Sequence, residues 1–147
     1  MELAYNRKEG YRLYGSEYHK RELLTHALRK LLNMPGGEEN LNRIYGIRKE
    51  GVKELRANIE EIENKLQLQF TDERLKELLY IFYFTLIRIK NEKTVEAMDR
   101  YRLVTTTKEY SVVAAFADKY RIKDENEIVN FAVQIQISKV HNRSMKI

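Results

Sequence analysis

Leu78 to Ile89 reads LLYIFYFTLIRI, a run interrupted only by Thr85 and Arg88, and no other stretch limits the fold as strongly. Leu75, Leu78, Leu79, Phe82, Leu86 and Ile89 recur at intervals of three and four, which is helical spacing. Tyr80, Ile81, Tyr83, Phe84 and Ile87 cover the remaining sides, so the segment needs neighbours on most of its faces. Thr71 stands at the N-cap position, with Asp72 and Glu73 in the positive first turn and Arg88 and Lys90 at the negative end. Phe70 and Leu75 occupy the two positions of a hydrophobic staple. A membrane span needs about 20 apolar residues; this run is shorter and bracketed by charge. It is expected to be the central helix of a water-exposed domain.

The other elements must supply those neighbours. A chain of 147 residues buries about 68–70% of its unfolded surface as one domain, so no staple is required. No cysteine is present, which excludes a disulfide framework and thiolate metal sites, and no secretory leader opens the chain, so a cytoplasmic location is expected. The net charge of +5 comes from 27 Lys+Arg and 22 Asp+Glu interspersed along the helices, a pattern that describes a solvated surface. One proline and six glycines imply long, regular elements.

Glu2 to Tyr14 holds two short β-prone runs around a charged turn ending at Gly10, read as a hairpin. Ser16 can cap a helix carrying Leu23, Leu24, Ala27, Leu28, Leu31 and Leu32 at helical spacing. Met34-Pro35-Gly36-Gly37 stops it, and this cluster marks the boundary between an N-terminal piece, residues 1–35, and a main domain, residues 38–147. A short helix is expected near Glu39 to Tyr45. Val52, Leu55, Ile59, Ile62 and Leu66 form the narrow seam of a further helix. Asn91 to Thr107 is polar and reads as a loop with a short helix, and Lys108 to Tyr120 as a helix. Val133 to Ser138 alternates like a strand, while Ile128, Phe131, Ala132 and Ile135 keep helical spacing over a longer window; helix is preferred, starting at Asp124 or Glu125.

The search for chemistry is mostly negative. There is no phosphate-cradling glycine loop, no HExxH and no cysteine nucleophile. His19 and His26 are seven residues apart, about 10.5 Å along a helix, too far to share a metal. Glu60, Glu61 and Glu63 are assigned to a solvated helix face. Neither a metal, a cofactor nor an enzymatic function is expected, and a binding or interaction module is the better inference.

Two stretches carry a resemblance. RKEGYRLYGSEYHKRELL, Arg7 to Leu24, is similar to the segment that follows the DNA-binding domains in bacterial sugar-operon regulators of the BglG type, matching it at Gly10, Tyr11, Leu13, Gly15, Glu17, Arg21, Leu23 and Leu24. The remainder resembles a PTS regulation domain. Phe70 to Lys93 is similar to that domain's second helix and its arginine, here Arg88, and Thr107 to Lys139 to its closing pair of helices, with Glu127 at the acidic position that opens the last one. The resemblance implies an all-α fold, a five-helix bundle preceded by the hairpin and linker helix. It also implies a homodimer, and a fragment of a cytoplasmic activator or antiterminator controlled by the sugar phosphotransferase system. Nucleic acid would then be bound through other domains of the full regulator, and no membrane is involved.

In typical members a histidine on the second helix and another on the last accept phosphoryl groups. Counting from Arg88 puts Ile81 at the first position, and counting from Glu127 puts Gln134 at the second; neither side chain can carry a transferable phosphoryl group. Arg88 is the expected phosphate-handling or interface residue. His141, seven residues past Gln134, is the remaining phosphoacceptor candidate, while His19 and His26 are assigned to the surface of the linker helix. The alternative from another class is a basic nucleic-acid-binding module that uses the hairpin as a wing, with Tyr11 and Arg12 touching DNA.

Overall fold

In the computed structural model the backbone is described for residues 2–6 and 10–145, and the side chains for residues 15–99 and 101–139. Glu2–Asn6 and Gly10–Tyr14 are traced as backbone, antiparallel with Glu2 opposite Tyr14. The turn at 7–9 and the side chains of Tyr11 and Arg12 lie outside the described residues, so the helices carry the architecture.

Six α-helices are described: α1 (Glu17–Leu32), α2 (Gly37–Tyr45), α3 (Lys49–Leu66), α4 (Asp72–Lys90), α5 (Lys108–Lys119) and α6 (Glu125–Met145). A 3-10 helix, Asp99–Thr106, sits in the polar stretch before α5. Among the described residues no helix is long and apolar enough to cross a membrane.

The apolar run forms α4, and α1, α3 and α6 pack around it. Leu78, Leu79, Tyr80 and Phe82 have no accessible surface. Side chains on several faces of one helix are buried because three other helices each take a face, which is the environment its composition demands. Phe82 meets Phe131 of α6 edge to face at 4.7 Å between ring centroids and Phe116 of α5 at 5.5 Å. This aromatic triangle joins the three helices that close the far side of the bundle.

The termini follow local rules. Thr71 Oγ1 accepts a hydrogen bond from the Arg74 N–H, Ser16 Oγ from that of His19, and Thr107 Oγ1 from that of Tyr110. Thr71→Ala is expected to cost about 1 kcal/mol in a denaturant titration, because it leaves an N–H at the start of the most buried helix without its acceptor. For α6, Asp124 Oδ1 accepts from the Asn126 and Glu127 N–H groups at 2.9 and 3.3 Å. The alternating stretch at 133–138 is therefore helical: Ile128, Phe131, Ala132, Ile135 and Ser138 are buried as one stripe.

At Pro35-Gly36-Gly37 the chain turns from α1 into α2, and buried residues on both sides of the turn belong to one cluster. Leu28 and Leu32 of α1 belong to the same buried cluster as α4, and α2 folds straight back, so closely that a Cβ on Gly37 would lie 1.8 Å from the Leu31 carbonyl oxygen. Only glycine fits that approach. Tyr80, at the middle of α4, places its hydroxyl 3.0 Å from a Glu38 carboxylate oxygen and 2.7 Å from the Asn42 amide oxygen, tying α2 to the central helix. Glu63 departs from the sequence expectation. Instead of lying on a solvated face it is buried, because its carboxylate accepts the Phe70 N–H at 2.8 Å and bridges the α3–α4 connection. Burial holds its carboxyl above the ordinary carboxylate range.

Candidate functional site: a polar cleft beside a buried ion network

Four charged residues drawn from three helices meet at one end of the bundle. Arg21 donates its Nε–H to Glu17 at 2.9 Å and grips both carboxylate oxygens of Glu127, a residue with no accessible surface. Its remaining contact is to the Lys93 carbonyl at 2.7 Å. Arg88, in the last turn of α4, makes a two-pronged contact with Glu17 at 3.0 and 2.5 Å. Glu127 also accepts the Val95 N–H at 2.8 Å. Glu96 accepts the N–H groups of Glu17 and Tyr18 at the start of α1 at 2.8 and 3.2 Å, a cap supplied from outside the helix.

Two guanidiniums and two carboxylates balance in charge, and bidentate geometry is the arrangement that lets such groups be buried. The network clamps the N-terminus of α1 to the end of α4 and the start of α6. Burial opposes ionisation of Glu17, but the hydrogen bonds from Arg88 and Arg21 outweigh it and hold the carboxyl below its ordinary 4.5. A carboxylate with a depressed folded-state pKa contributes stability that is complete above the unfolded value and is lost as pH falls through the folded value. Thermal stability is accordingly expected to drop as pH falls below about 4.5. Glu17→Gln should flatten that drop in melts recorded across the acid range.

Beside the network lies a cleft of about 220 Å³ between α1 and α6. Glu22, Thr25, His26 and Arg29 of α1 line one wall, and Asn130, Val133, Gln134 and Ile137 of α6 line the other. Both sets are spaced i, i+3, i+4, i+7, so each wall is one helical stripe. Ile81 and Thr85 of α4, one turn apart, also line it; Ile81 is buried, and Thr85 turns its hydroxyl back onto the Ile81 carbonyl at 2.7 Å. Tyr18 and Tyr101 close one end, their hydroxyls 3.4 Å apart.

Thus Ile81 and Gln134, 53 positions apart in the chain, line the same cleft. Arg88 is engaged by Glu17 and lines a different groove, with Lys20, Leu23, Tyr45 and Phe84. His19 is exposed and its Nδ1 lies 2.7 Å from Ser16 Oγ. His26, assigned from sequence to the helix surface, is exposed and lines the cleft. The α6 backbone extends past His141, whose side chain lies outside the described residues. The cleft's α1 wall was not anticipated: Glu22, Thr25, His26 and Arg29 sit on the polar side of an amphipathic pattern, and only the packing of α6 opposite gives that side a partner. Among the described residues no group of His, Asp and Glu is arranged to hold a metal ion.

Comparison with protein-family models, with curated protein sequences and with solved structures finds no match for this chain.

Proposed function

We propose that this chain is a regulatory and dimerisation domain of the PTS regulation type, part of a bacterial transcription activator or antiterminator, in which this copy accepts no phosphoryl group at the two usual positions. The observation that carries the reading is that Ile81 and Gln134, the two positions the resemblance assigns to phosphohistidines, line one cleft although they lie on different helices. The count of five helices after α1 and the meeting of Glu17, Arg21, Arg88 and Glu127, all motif positions, support it further. An isoleucine has no atom able to take a phosphoryl group and a glutamine amide is not a nucleophile at neutral pH, so the cleft keeps the geometry without the relay.

On this reading the chain acts through its interfaces. Leu23, Ile44, Tyr45 and Ile87 are exposed apolar residues of α1, α2 and α4. Tyr45 packs edge to face on Phe84 at 5.2 Å, beside the groove lined by Leu23 and Ala27. A groove lined by Leu23, Leu24, Ala27, Tyr45 and Phe84 suits a second copy, with Tyr45 and Phe84 as aromatic anchors. Sedimentation equilibrium of the isolated chain is expected to give the dimer mass, and Tyr45→Glu the monomer mass with an unchanged helical spectrum. A monomer for the unaltered chain at high micromolar concentration would count against the homodimer.

A further inference from the structure

The cleft holds more hydrogen-bonding capacity than the fold uses. Among the described residues, the side chains of Thr25, His26, Asn130 and Gln134 make no hydrogen bond to another protein group, although all four line one concavity. Arg29 adds a buried Nε with no hydrogen-bond partner. It pairs with Glu77 at 3.5 Å, a carboxylate that Arg74 also approaches at 3.2 Å. Two guanidiniums share that one buried carboxylate, and the Glu73 charge also acts on Arg74.

The two ends of the cleft differ in chemistry. Toward the C-terminal end of α1, Arg29 with His26 and Thr25 offers a cation, an imidazole and a hydroxyl within two turns, a set suited to the oxygens of an anion. Toward the start of the two helices, where Arg21 meets Glu127, the Glu22 carboxylate and the Asn130 amide offer acceptors and donors for hydroxyl groups beside the Tyr18 and Tyr101 rings, and Gln134, one turn further along α6, adds a second amide. A volume of about 220 Å³ is below the range of about 300–1,000 Å³ typical of drug-sized ligands, which sets the occupant at the size of a small metabolite.

We infer that this cleft binds a small hydroxylated phosphate monoester non-covalently, its phosphate held by Arg29, His26 and Thr25 and its hydroxyls by Glu22, Asn130 and Gln134. The inference stands on the cleft itself and goes beyond the reading given above. Because the walls belong to α1 and α6, an occupant bridges the two helices and tightens the docking of α1.

Calorimetric titration of the full chain with glucose 6-phosphate tests it, with glucose and inorganic phosphate as the two partial probes. Glucose 6-phosphate is expected to bind and to raise the melting temperature, with each partial probe weaker by about tenfold or more, since each forgoes one set of polar contacts. His26→Ala and Thr25→Val, which disturb no hydrogen bond of the fold, should each weaken glucose 6-phosphate; Arg29→Gln should abolish its binding. Absence of binding at millimolar glucose 6-phosphate would overturn the inference, as would equal binding by His26→Ala and Thr25→Val. Equal affinity for inorganic phosphate would overturn the hydroxyl half, and equal affinity for glucose the anion half.

Discussion

Arg21→Met is expected to destabilise the protein by about 3–5 kcal/mol, the usual cost of leaving one partner of a buried ion pair alone. For a chain of this size that is about 10–15 °C in melting temperature. The reason lies in what remains behind. Glu127 has no accessible surface and would keep only the Val95 N–H; the Lys93 carbonyl would lose its donor. Glu17 would still have Arg88, so the loss should centre on the α1–α6 junction. Glu127→Gln in the Arg21→Met background should recover part of the stability, because it removes the stranded charge while keeping an acceptor for Val95. Urea titrations of the two variants and the parent form the test; a loss below about 1 kcal/mol, the ceiling for exposed pairs, would mean that the network is solvated.

Phe82→Ala should have an effect of similar size by a different mechanism. Phe82 has no accessible surface and its ring touches those of Phe116 and Phe131, so truncation removes transfer free energy and leaves a cavity at the meeting point of α4, α5 and α6. The expected cost is about 3–5 kcal/mol. Phe82→Leu should cost distinctly less, since it refills most of the space. The midpoint of denaturant unfolding should move while its slope does not, as expected when stability changes and the exposed area stays the same.

These effects also indicate how far the sequence could be read. The central helix was legible because its apolar residues cover several faces, and burial of such a segment leaves few alternatives. The N-caps at Ser16 and Thr71 were legible, being short polar side chains ahead of periodic runs, whereas Thr107, which caps α5 in the same way, was read only as the end of a polar loop. Helix ends were less so. Gln67, Glu92 and Arg121 adopt left-handed backbone with φ of 53°, 62° and 60°, and without glycine at those places nothing in the sequence announces the turn. Gly37 was visible as a stop, but its role in bringing α2 against α1 depends on a contact with Leu31 that spacing does not reveal.

The candidate site was legible only in part. Ile81 and Gln134 were picked out by counting from Arg88 and Glu127, yet the closure of one cleft by both depends on how α4 and α6 pack. Glu17, Arg21, Arg88 and Glu127 each stood out separately, whereas their joining into one network is a tertiary fact. Glu63 was misassigned because periodicity cannot tell that a following loop will fold back and present the Phe70 N–H to its carboxylate.

The central functional claim, proposed above, is that Ile81 and Gln134 stand at the two phosphoacceptor positions and that neither can carry a phosphoryl group. Intact mass spectrometry after incubation with phosphoenolpyruvate and the phosphotransfer proteins tests it most directly, run on the parent chain and on Gln134→His. The account predicts that the parent stays at its unmodified mass while the variant gains the mass of one acid-labile phosphoryl group. Acid-labile phosphate on any histidine of the parent, or an inert Gln134→His chain that is folded by circular dichroism, would contradict it.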